Sequence, residues 1–170
     1  MTVFEADPRP SVTIEDPRSD RVRRLLGAYL EDVVGRYHGR PLTDAELVLA
    51  HASMSSDGLA ESRGVLLLAG LHTTDVGCVG MRFLDREVGE VTVLFVAEGA
   101  RRHGVGALLL DRIEAIAADR GLGTFRLDTR HDLIEARRLY ARQGFCEVPA
   151  FNDEPYAERW FAKTLKRSAA

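Results

Sequence analysis

The sequence is 170 residues long, 45% hydrophobic and 29% charged, with a formal net charge of −3. That length suits one globular domain over residues 1–170 with a substantial buried core, and leaves no room for a second. The charge balance lacks the strongly basic footprint of a nucleic-acid binder, and no run approaches the roughly 18 apolar residues of a membrane span.

The first 20 residues are rich in Asp, Arg and Pro and carry no apolar signal segment, so a bacterial-type cytoplasm is the expected location. "SVTIED" reads as a short strand. Ser19 or Asp20 can cap a first helix with Val22, Leu25, Leu26, Tyr29, Leu30 and Val33 at helical spacing, expected to end between Gly35 and Pro41. Thr43 and Glu46 form a TxxE capping box for a second helix through Leu47 and Ala50. Residues 53–64, "SMSSDGLAESRG", read as a mobile surface loop. "VLLLAGL", "VGCVGMRFL" and "EVTVLFV" are three strands of an antiparallel meander, with a turn at "HTTDVG".

An amphipathic helix follows, with Val105, Leu108, Leu109, Ile113 and Ile116 on one face, stopped by Gly121 and Gly123. "TFRLDT" is a strand, and "DLIEARRLYARQG" is a helix opened by an Asp132/Glu135 capping pair and closed by Gly144. "FCEVPAF", the polar turn "NDEP" and a last strand, "AERWFAKTL", complete an α/β (α+β) fold around one mixed sheet. Cys78 and Cys146 offer neither metal-ligand spacing nor a disulfide framework, and both read as small core residues. His51, His72 and His131 show no metal spacing and suit surface or capping roles.

The chemistry concentrates where "VTVLFVAEGARRHGVGALLLDRIE" turns from strand to helix. Amides at a helix start lack intrahelical partners and lie at the positive end of the helix dipole, so they can hold an anion. Gly104 and Gly106 remove the Cβ that would block approach, and Arg101, Arg102 and His103 add charged donors suited to a pyrophosphate. A Walker loop is excluded because GxxxxGK is absent, and the dinucleotide GxGxxG pattern fails. By itself RxxGxG is a weak signal, equally compatible with a glycine-opened helix carrying solvated arginines.

Taken whole, "EVTVLFVAEGARRHGVGALLLDRIE" resembles the nucleotide-binding core of the GNAT superfamily of N-acetyltransferases. "EARRLYARQGFCEV" resembles that family's AxxLYxxxGF segment through Ala136, Leu139, Tyr140, Gly144 and Phe145. The resemblance implies a mixed, mostly antiparallel central sheet with helices on both faces, splayed between its fourth and fifth strands. It further implies acetyl-CoA in that splay, with main-chain contacts to the pantetheine at Leu94, Phe95 and Val96. Phosphate contacts are then expected at Arg101, Arg102, His103, Gly104, Val105, Gly106 and Ala107. One departure stands out: where many relatives carry an asparagine seven residues before the tyrosine, this chain has Leu133, and Arg130, His131 or Asp132 would have to replace its hydrogen bond.

Acetyl transfer to a primary amine needs a proton acceptor, because such an amine is almost wholly protonated at neutral pH. Glu90 opens the strand that feeds the glycine loop, where the family often has its base; a solvated turn glutamate is the plain alternative. An oxyanion donor is expected from a main-chain amide at a bulge near Leu94 to Val96. Tyr140 lies on one helical face with Ala136, where a phenol could reach the coenzyme sulfur, or could simply be core. Asp153, Glu154 or a water chain are the other candidates for the base.

The expected activity is acetylation of a small-molecule or peptide amine in a ternary complex; a non-catalytic acyl-CoA sensor or interaction domain of the same fold is the rival. The acceptor site is expected against Tyr29, Glu31, Asp32, Tyr37, Asp57, Asn152, Asp153, Glu154 and Tyr156. No metal, nucleic acid or membrane is expected to take part, and association into a homodimer is left open.

Overall fold

Apolar runs bounded by polar turns fold into seven strands in the computed structural model, which describes residues 9–53, 56–59 and 62–166. The strands are β1 (Ser11–Ile14), β2 (Gly64–Leu71), β3 (Thr74–Phe83), β4 (Val88–Val96), β5 (Thr124–Thr129), β6 (Cys146–Val148) and β7 (Arg159–Thr164). They form one sheet in the order β1-β2-β3-β4-β5-β7-β6. Every neighbouring pair is antiparallel except β4 and β5, which run parallel. Four helices accompany them: α1 (Asp20–His38), α2 (Asp44–Ser53), α3 (Val105–Asp119) and α4 (Ile134–Arg142).

Both faces of the sheet are covered, which is why "VLLLAGL" is apolar throughout and does not alternate. Val65, Leu67 and Ala69 pack with Leu109, Ile113 and Ala117 of α3 and with Tyr140 of α4. Leu66 and Leu68 of the same strand pack with Val22, Leu25 and Leu26 of α1. At roughly 1.5 to 3 kcal/mol per fully buried large apolar side chain, these two layers dominate the stability of the fold.

Several local expectations hold. The Ser19 hydroxyl accepts from the Val22 amide and caps α1. Thr43 and Glu46 exchange their backbone-to-side-chain bonds at 2.9 and 3.3 Å, closing the capping box of α2. The first helix ends within the expected stretch: Gly35 lies inside α1, which closes on a left-handed cap at Gly39 (φ 65°). Others are corrected. The Asp132/Glu135 capping pair does not form: α4 opens at Leu133 without a side-chain cap, because Asp132 is held by Arg130 and Glu135 by Arg36. Cys78 is buried, but Cys146 is exposed, since β6 is the outer edge of the sheet. The loop expected over residues 53–64 falls partly outside the described residues; within it, Ser56–Leu59 forms a helical turn that seats Leu59 in the α1 layer.

Two irregularities interrupt β4. Its pairing with β5 covers only the stretch from Val88↔Thr124 to Val91↔Leu127, so the two strands diverge beyond it. Its pairing with β3 slips between Gly80↔Val93 and Met81↔Val91, which leaves Thr92 as the extra residue of a β-bulge. The bulge was expected two residues or more further on. Its effect is to reverse the strand's phase: Val91 belongs to the α3 layer, whereas Val93 and Phe95 belong to the α1 layer.

Candidate active site

The divergence of β4 from β5 opens a cleft of about 620 Å³. Residues 91–94 of β4 and residues 127–130 around the end of β5 form its floor, with Leu133, Ala136 and Tyr140 on one side and Tyr29, Leu30 and Val33 of α1 on the other. Glu46 and Leu49 of α2 and Glu154 and Tyr156 of the β6–β7 connection complete the rim. Tyr37 of α1 is not among the described lining residues but meets the Tyr156 ring edge-on at 5.2 Å.

Tyr140 stands where its position in α4 predicts, buried against Phe145 and Phe161. Its hydroxyl makes no hydrogen bond to a described residue although the side chain lines the cleft. Burial pushes the phenol far above its ordinary range, with Tyr29 and Asp128 adding to the effect. The nearby Tyr29 is likewise pushed up to about 12, chiefly by burial. Both phenols therefore keep their protons at any working pH and act as donors.

Glu90 faces the cleft as expected, but it is not free. Arg82, Glu90 and Arg126 occupy one row across β3, β4 and β5, with Arg82 and Arg126 each paired in register with Glu90. Arg82 donates to Oε1 at 2.7 Å and Arg126 to Oε2 at 2.9 Å. Both carboxylate oxygens are therefore engaged, and neither can meet an amine without giving up a guanidinium partner. This row weighs against Glu90 as the base. Glu90→Gln is expected to lower folding stability by about 1–3 kcal/mol, because the amide turns an N–H₂ toward one of the two guanidinium groups. Denaturant unfolding measures this, and unchanged stability would show the row to be ornamental.

The glycine loop sits at the far end of β4. Arg102 (φ 65°) and Gly104 (φ 76°) hold left-handed backbone. Gly104 is the N-cap of α3, no side chain caps the helix and its first turn has no acidic residue. Leu108 is the first amide bonded back into the helix, to the Gly104 carbonyl, which leaves the amides of Val105, Gly106 and Ala107 for an external acceptor. A Cβ placed on Gly104 would meet nothing within 4 Å, so the approach is open. Gly106 serves packing: a Cβ there would come 3.0 Å from Leu139 of α4. Arg102 and His103 are exposed, and the His103 Nδ1–H donates to the Arg101 carbonyl at 2.9 Å. Arg101 departs from expectation. Its guanidinium is engaged by the Val96 carbonyl at 2.9 Å and by Asp32 at 2.8 Å, so it braces the loop against α1.

Beyond Val91 β4 is no longer paired with β5, and Leu94 lines the cleft, whereas Phe95 and Val96 are not among its described lining residues. Leu133, which stands where the resemblance implies an asparagine in many relatives, lines the cleft. None of its proposed substitutes is idle: Arg130 donates to Asp132 and to the Val33 carbonyl, each at 2.6 Å, and His131 pairs with Glu158.

Of the expected acceptor residues, Tyr29, Glu154 and Tyr156 line the cleft. Asp32 is held by Arg101, and the Asp57 side chain lies outside what is described. Glu31 and Asp153 are not among the described lining residues. One residue escaped sequence reasoning. Asp128 lines the cleft from β5, on the same face as Arg126, and burial raises its carboxyl above the ordinary range, with Glu90 and Glu154 adding repulsion. The signal was present in "TFRLDT", where an arginine and an aspartate alternate with residues destined for the core.

Comparison with known proteins adds to this geometry. The model of the acetyltransferase (GNAT) family matches residues 36–145. A protein of Azospirillum brasilense named IAA acetyltransferase is 35% identical over 153 residues, 86% of this chain and 91% of that one. The crystal structure of a GNAT-family acetyltransferase from Staphylococcus aureus Mu50 superposes with a TM-score of 0.73 at 19% identity, covering 93% of this chain and 100% of the other. A GNAT-family acetyltransferase from Elizabethkingia anophelis, solved with acetyl-CoA bound, superposes at 0.62 and 18% identity, covering 92% and 98%.

Proposed function

Because the chain belongs to the GNAT family of acetyltransferases, we propose that it moves the acetyl group of acetyl-CoA to a primary amine. The acceptor is a small molecule or a peptide, and attack is direct, with both substrates bound. The observation that carries this reading is the opening between β4 and β5, lined by a buried phenol and carboxylates, with an uncapped helix start in the loop that follows β4.

The residues fit the coenzyme. Its pyrophosphate would lie on the amides of Val105, Gly106 and Ala107, with Arg102 and His103 beside it and Gly104 giving access. The pantetheine would follow Leu94, Phe95 and Val96, and Leu133 would give it an apolar contact in place of a hydrogen bond. The Thr92 bulge leaves one residue's main chain out of the β3–β4 ladder, and its amide is a candidate donor to the developing oxyanion. Tyr140 supplies a donor to the departing sulfur. Since a thiol ordinarily ionises near ~8.5 and this phenol far higher, complete transfer from it runs uphill; a hydrogen bond to the thiolate is its main contribution.

Thiol release from acetyl-CoA, followed over a panel of polyamines, amino acids, aminoglycosides and short peptides, is expected to show turnover with at least one class. Coenzyme binding without turnover across the panel would favour the sensor reading. No helix among the described residues is long and apolar enough to cross a membrane, and the whole chain is read as a single acetyltransferase domain acting in the cytoplasm.

A further inference from the structure

The cleft contains a carboxylate better placed than Glu90 to take the amine's proton. Asp128 directly follows Leu127, the last β5 residue paired with β4, so it stands at the mouth of the opening, whereas Glu90 lies within the paired stretch. Its own pairing partner in β7 is Trp160. The Trp160 indole N–H donates to Asn152 Oδ1 at 2.8 Å, and Asn152 Nδ2 donates to Asp128 Oδ2 at 2.8 Å. An indole can only donate, so it fixes which way the Asn152 amide points, and the amide in turn fixes the carboxylate. Oδ1 of Asp128 is left without a hydrogen bond to any described residue.

We propose that Asp128 is the catalytic base of this enzyme, with Asn152 and Trp160 as its positioning residues; this rests on the amine acetyltransferase reading. Asp128 Oδ1 takes one proton from the acceptor's ammonium. The freed nitrogen pair forms the C–N bond as the carbonyl π pair moves to oxygen. When the carbonyl re-forms, the C–S bond breaks and its pair leaves on sulfur. The second nitrogen proton passes to that thiolate, giving an N-acetyl amine and the free coenzyme thiol. Asp128 then returns its proton to solvent, so one proton is released per turnover.

The surroundings suit the task. Glu90 on β4 and Glu154 on the β6–β7 connection oppose ionisation of Asp128, Arg82 on β3 favours it, and Tyr29 of α1 and Tyr140 of α4 face the same charge. Burial is the largest influence and raises the carboxyl. A raised acid makes the ionised form costly to the fold: the cost is absent below the unfolded value and is fully present above the folded one. Removing this charge should therefore not weaken folding at neutral pH.

The test is Asp128→Asn, assayed beside the wild type with the panel amine that the wild type acetylates fastest. The expected result is a fall in kcat of about 10²-fold at neutral pH, an unchanged dissociation constant for acetyl-CoA by calorimetry, and a melting temperature no lower than wild type. The acidic limb of the wild-type pH–rate profile, rising through the raised carboxyl, should disappear. Trp160→Phe, which frees the Asn152 amide to turn, should move that limb to higher pH while sparing coenzyme affinity. Asp128→Asn with wild-type kcat and its acidic limb intact overturns the assignment, leaving the acetyltransferase reading in place. A wild type that acetylates no amine overturns both.

Discussion

Gly104→Asp is expected to abolish acetyl-CoA binding while leaving the fold intact. Gly104 is the N-cap of α3 with φ 76°, and it faces three amides that no side chain satisfies. An aspartate there can turn its own carboxylate onto those amides, placing a tethered competitor where a pyrophosphate would lie and repelling that pyrophosphate by charge. For stability two effects oppose each other. Left-handed backbone costs a non-glycine residue about 1–2 kcal/mol, and a good N-cap returns about 1. Far-ultraviolet circular dichroism should therefore remain native-like while calorimetry loses the binding heat. Gly104→Ala is the informative control, since its Cβ meets nothing within 4 Å and carries no charge. Micromolar affinity surviving in the aspartate variant would mean that the coenzyme phosphates lie elsewhere.

Tyr140→Phe is expected to lower kcat by 10²-fold or more with acetyl-CoA affinity nearly unchanged. The hydroxyl bonds to no described residue, so its removal costs the folded chain little, and a phenylalanine keeps the ring contacts with Phe145 and Phe161. A loss of rate without a loss of stability separates a donor to the reacting sulfur from a core aromatic. It also separates a catalyst from a coenzyme sensor, which would be indifferent to the substitution. Single-turnover rates and thermal unfolding measured on the same preparation decide the matter.

What could be read from the residues alone was what local chemistry dictates. "TFRLDT" coincides with β5, and the three-stranded meander is marked by apolar runs between turns. The Thr43/Glu46 box is a four-residue device that needs no tertiary partner. Illegible features were those in which distant segments compete for one group. Asp132 could cap α4 in isolation, but Arg130, anchored on the Val33 carbonyl, takes it first. Arg101 looked available to phosphate until Asp32, 69 positions earlier, claimed it. Glu90 suited a base until β3 and β5 each delivered an arginine to it. Asp128 lacked a motif, and its support comes from β7 and the turn before it, which the strand pairing alone brings into range.

The bulge at Thr92 has a consequence for how the gene can vary. Thr92 is exposed and its side chain belongs to neither apolar layer, so many residue types should serve there. Its presence as a position is another matter. Removing one codon would restore unbroken alternation along β4, sending either Val93 and Phe95 out of the α1 layer or Glu90 and Val91 to exchanged faces. At this point of the chain, identity is free to drift and residue count is not, so an aligned gap at position 92 would signal a protein whose cleft is built on a different register.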